Sequence, residues 1–103
     1  MYLVRRTYRV RPGKHREAAE LMVKICRIYE KAGQRGPTRV YWSGQTVPGL
    51  ANHIYMDWIA EKLESPYREG NVAPPEVGPI ARQLAELREE SWIEFFEMCP
   101  PVK

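Results

Sequence analysis

The chain has 103 residues, 44% hydrophobic and 11% aromatic, with 16 Lys and Arg against 13 Asp and Glu for a net charge of +3. That length makes residues 1–103 one domain with enough apolar content for a packed core, and a domain this small often completes its buried surface at a subunit interface. A membrane-spanning helix is excluded, because no apolar run approaches the roughly 18 residues a span needs, and two cysteines, Cys26 and Cys99, make no disulfide framework, so reduced thiols in a cytoplasmic protein are expected.

Residues 2–11 alternate. Tyr2, Val4, Arg6, Tyr8 and Val10 share one face, and Leu3, Arg5, Thr7, Arg9 and Arg11 share the other, as in a strand. The N-terminus is Arg-rich and acid-poor like a transit peptide, but its period of two says strand. Arg6 interrupts the apolar face, so it needs a carboxylate partner such as Glu94 or a place in a ligand cavity. Pro12-Gly13 ends the strand. Residues 14–32 then take helical spacing, with Ala18, Leu21, Met22, Ile25, Cys26, Ile28, Tyr29 and Ala32 on the apolar face. Gly33 suits the C-cap, and Gly36-Pro37 stops the helix.

Residues 38–43 are strand formers, and a turn over Gly44 to Gly49 leads to a second alternating run, 50–59. There Leu50, Ile54, Met56 and Trp58 face one way, and His53, Tyr55 and Asp57 the other. Residues 60–64 suggest a short helical turn. Residues 65–79 read as a long irregular loop, of a length often functional or mobile. A second helix is expected over 79–90, with Ile80, Ala81, Leu84, Ala85 and Leu87 inward and Pro79 in its first turn. A last strand is expected over 91–98.

The order is β-α-β-β-α-β, an α+β ferredoxin-like arrangement: a four-stranded antiparallel sheet with two helices on one face. The other face would carry residues such as Tyr55 or Trp92, or their alternates on the opposite parity. Apolar surface of that extent calls for cover, and a second copy packed sheet on sheet supplies it most economically.

Arg6, Thr7, Tyr8, Val10, Pro12, Gly13 and Lys14 resemble the opening strand of NIPSNAP-like proteins, R-T-Y-x-[hydrophobic]-[basic]-P-G-K, within the dimeric α/β-barrel superfamily. Tyr41-Trp42, Asn52 and Trp58 match more weakly, and Met56-Asp57 stand where the family often has a His before its Trp. The resemblance implies a homodimer whose sheets form a barrel. It also implies a cavity between each sheet and its helices, where relatives bind small apolar molecules or haem. It brings no established catalytic residue.

Candidates for lining a ligand site are Arg6, Tyr8, Tyr41, His53, Tyr55 and Asp57. His53 and Asp57 lie about 13 Å apart along one strand, so they act together only through a shared ligand; otherwise His53 is an ordinary sheet histidine. A Tyr8–Arg6–His53 cluster depends on strand register, which parity can defeat. His15, Cys26, His53 and Cys99 lack metal-ligand spacing. No phosphate loop, nucleophile elbow or cofactor motif is present, so no cofactor is expected. Six basic residues precede the first acid, Glu17, which raises nucleic-acid binding, but the RNA-recognition signature is missing from residues 50–58. The leading expectation is a homodimer binding a small apolar ligand or a partner protein. The alternative is a small barrel enzyme, such as a cofactor-free monooxygenase or an isomerase, or a haem binder.

Overall fold

The computed structural model describes residues 1–62 and 73–99. Its elements run β1 (Tyr2–Val10), α1 (His15–Lys31), β2 (Arg39–Trp42), β3 (His53–Ala60), α2 (Val77–Leu87) and β4 (Arg88–Glu97). The strands form one antiparallel sheet in the order β2-β3-β1-β4, so the first strand is central and flanked by the third and fourth. This is the ferredoxin-like fold expected from the order of the elements.

The period-two pattern of β1 decides which face meets the helices. Val4, Tyr8 and Val10 are buried. Tyr8 and Val10 join Ile54 and Met56 of β3 and Ala18, Met22, Ile25 and Cys26 of α1 in one core, completed by Val77 and Leu84 of α2. Helix α1 ends as its sequence predicts. Gly33 takes a positive φ of 74°, its N–H donates to the Glu30 carbonyl, and the Gln34 N–H donates to the Tyr29 carbonyl. That pairing is the Schellman arrangement.

Three boundaries depart from the sequence reading. β3 begins at His53 rather than at residue 50, because Asn52 turns the chain with φ 61° and Leu50 is exposed. Helix α2 begins two residues early, at Val77, which is buried. It also ends three residues early: Arg88, Glu89 and Glu90, good helix formers, lie in β4. There the strand pairs with β1, and Glu89 and Glu90 receive Arg9 at 3.3 and 3.0 Å, so tertiary pairing overrides local propensity. The register shift between Arg9 and Val10 marks the bulge that absorbs the change. Ala85, expected inward, is exposed. Ala60 belongs to β3, and of the short turn expected over 60–64 the residues after Lys62 lie outside the described ones. So does most of the expected loop over 65–79, of which 73–76 lead into α2.

Candidate functional site

The face of the sheet away from the helices holds a connected polar and aromatic group. Strand register sets Arg5 opposite Asp57 and Glu94, Thr7 opposite Tyr55 and Trp92, and Arg39 opposite Asp57. Asp57 is 4% exposed, and its carboxylate accepts from Arg39 Nε at 2.9 Å and from the Tyr41 hydroxyl at 2.5 Å. Burial, and then donation to that carboxylate, pushes the Tyr41 phenol up to about 12. The Tyr41 ring stacks on Tyr55, with centroids 5.5 Å apart. Arg5 bridges the centre of the face. It binds Glu94 at 3.2 Å, and its guanidinium carbon lies 5.5 Å from the Tyr55 ring centre and 5.1 Å from that of Phe96. The Thr7 hydroxyl and Arg5 Nε are buried without a hydrogen-bond partner. Trp92 and Ile59 stay exposed on the same face.

The helix side is different in kind. Tyr8 is buried in the core, with the Arg88 guanidinium 5.6 Å from its ring centre. Arg35, from the connection between α1 and β2, turns inward. Its guanidinium carbon lies 4.0 Å from the Tyr29 ring centre and 4.2 Å from that of Trp58, within cation–π range. Burial holds the Arg35 guanidinium below its ordinary value, and Arg6 acts in the same direction.

The six candidate residues therefore divide by parity. Tyr41, His53, Tyr55 and Asp57 share the uncovered face, whereas Arg6 and Tyr8 belong to the helix side of β1. The Tyr8–Arg6–His53 cluster is not assembled: His53 pairs with Arg9, and its ring packs against Trp92 while Nδ1 meets the Ala51 carbonyl. The expected pairing of Arg6 with Glu94 is corrected too. Arg6 sits opposite Ile93, and Glu94, one residue on and on the other face, takes Arg5. Sequence reasoning missed Arg35, since an Arg between Gly33 and Gly36 reads as a solvated turn. It also missed Arg39, whose only signal is the strand pairing that sets it against Asp57. The early basic residues are largely answered by acids, Arg5 by Glu94, Arg9 by Glu89 and Glu90, and Lys14 by Glu17. Among the described residues no group of three or more His, Cys, Asp or Glu could hold a metal ion, and no helix is long and apolar enough to cross a membrane.

The chain matches no protein-family model and no curated protein. Its fold is shared with solved structures along nearly the whole length. A NIPSNAP family protein from Agrobacterium tumefaciens strain C58 is 24% identical, over 92% of this chain and 90% of that one, with a TM-score of 0.67. An uncharacterised NIPSNAP domain protein from Burkholderia xenovorans is 19% identical, over 93% and 92%, at 0.65. A protein from Deinococcus radiodurans, provisionally described as an antibiotic biosynthesis monooxygenase, is 15% identical, over 100% and 97%, also at 0.65. At these identities the likeness is one of fold.

Proposed function

We propose that this is a NIPSNAP-like, cytoplasmic, homodimeric α/β-barrel protein that packs the uncovered sheet faces of two copies together and binds a small, mainly apolar ligand between sheet and helices. One observation carries the reading. The helix-free face holds Ile59, Trp92 and the stacked Tyr41 and Tyr55 around charges already paired with one another, Asp57 with Arg39 and Arg5 with Glu94. Ions paired within one chain can be covered without stranding a net charge, and apolar side chains around them gain from cover. Free Cys26 and Cys99 fit a reducing compartment.

Native mass spectrometry of the purified protein tests this. A dimer carrying extra mass is expected, and the mass identifies the ligand class. A dimer without added mass keeps the barrel and favours a partner protein over a small ligand. A monomer overturns the proposal. A second reading, a small barrel enzyme, is favoured by the Deinococcus neighbour. It requires His53→Ala to abolish turnover with an unchanged Tm.

A further inference from the structure

We propose that the ligand between sheet and helices is a small carboxylate with an apolar body, and that Arg35 anchors its head group. This rests on the helix-side ligand site of the preceding reading. The Arg35 guanidinium has ring centres at 4.0 Å, Tyr29, and 4.2 Å, Trp58. Ring faces attract the positive charge, but they do not take the N–H donors, which lie in the guanidinium plane. Nη1 is buried and has no hydrogen-bond partner, and Arg35 forms no ion pair among the described residues. A buried cationic donor without an acceptor is unfavourable, and native structures normally satisfy it.

The neighbouring acid cannot supply that acceptor. Glu30 is committed to Arg27 at 2.6 Å and to the backbone N–H and hydroxyl of Thr38 at 2.7 and 2.9 Å. The place thus has donors and positive charge, with apolar rings around them and an acceptor missing. An open cleft of about 470 Å³ lies beside it, lined by Arg27, Glu30, Arg35, Gly36, Pro37 and Thr38. That is in the size range of small-molecule sites. A carboxylate matches a guanidinium edge with two parallel hydrogen bonds and one negative charge once the Arg35 side chain turns the closed-off Nη1 toward the cleft. Pro37 offers the cleft an apolar wall for the rest of the molecule.

The test compares decanoate with 1-decanol, two chains of equal length that differ in the head group. Binding to the full chain is followed by calorimetry and by tryptophan fluorescence, because Trp58 touches Arg35. Decanoate is expected to bind about tenfold more tightly than decanol, the worth of one charge-assisted pair. Arg35→Gln should abolish that preference, and Lys14→Gln, outside the cleft and paired with Glu17, should leave it. Equal affinity for the two probes overturns the carboxylate anchor while leaving an apolar ligand site intact. Binding of neither overturns both readings. A preference that survives Arg35→Gln removes Arg35 from the role. If that variant does not fold, Arg35→Lys replaces it. A point charge without the fork should weaken decanoate more than decanol, and an unchanged ratio overturns the proposal.

Discussion

Asp57 shows how burial ranks two bonds to one carboxylate. Arg39 and Tyr41 both donate to it, but the Arg39 side chain is 72% exposed and the Asp57 side chain 5%. The exposed Arg39 guanidinium regains water when Asp57 goes, and when Arg39 goes the Asp57 carboxylate keeps the Tyr41 hydroxyl. Losing Asp57 instead removes the acceptor of both donors at once. Asp57→Ala should therefore cost more in chemical denaturation than Arg39→Ala, with Asp57→Asn between them. A larger loss from Arg39→Ala would reverse the ranking. The phenol offers a second measurement. Tyr41 is held near 12, so its phenolate absorbance should rise about two pH units later than that of an ordinary tyrosine. Tyr41→Phe should delete that late phase, and Asp57→Asn should bring it to lower pH.

The joint between α1 and β2 depends on Glu30, which ties the last turn of the helix to the residue before the strand. The Arg27 guanidinium, and after it the Thr38 N–H and hydroxyl, hold the Glu30 carboxyl below its ordinary value. A depressed native value stabilises the folded chain above the unfolded value, about 4.3, and the stabilisation is lost as pH falls through the native one. Glu30→Gln should lower Tm at neutral pH, and its deficit should shrink as the solution is made acid. A deficit constant with pH would mean that the carboxylate charge has no part in the joint. Such joints are where the sequence is hard to read. The helix faces and strand parity were legible because 3.6 and 2.0 periodicities are local. The switch from helix to strand at Leu87 was not, because Arg-Glu-Glu favours helix until Arg9 on another strand claims the two acids. Arg35 was hidden for the same reason: its contacts come from α1 and β3, and a turn sequence contains neither.

Across the molecule, parity divides the candidate residues into two places with different physics. Whether a given Arg or His reached the helix side or the bare side turned on register, which a single sequence leaves open. The bare side carries the proposed dimer, and its thermodynamics can be tested apart from mass. A dimer that melts to two unfolded chains gains stability with concentration, because association is part of folding. A chain of this length has an unfolding enthalpy of about 70 kcal/mol near 60 °C, so a dimer has about twice that, and Tm should rise by about 3–4 °C for each tenfold increase in protein. Ile59 is 40% exposed and Trp92 37%, so a glutamate at either position meets water in the single chain but would be buried unpaired between two sheets. Ile59→Glu and Trp92→Glu should thus lower Tm and flatten its dependence on concentration. If the unsubstituted protein melts at one temperature over a hundredfold range of concentration, the sheets do not pair in solution, and the uncovered face must be explained by another partner.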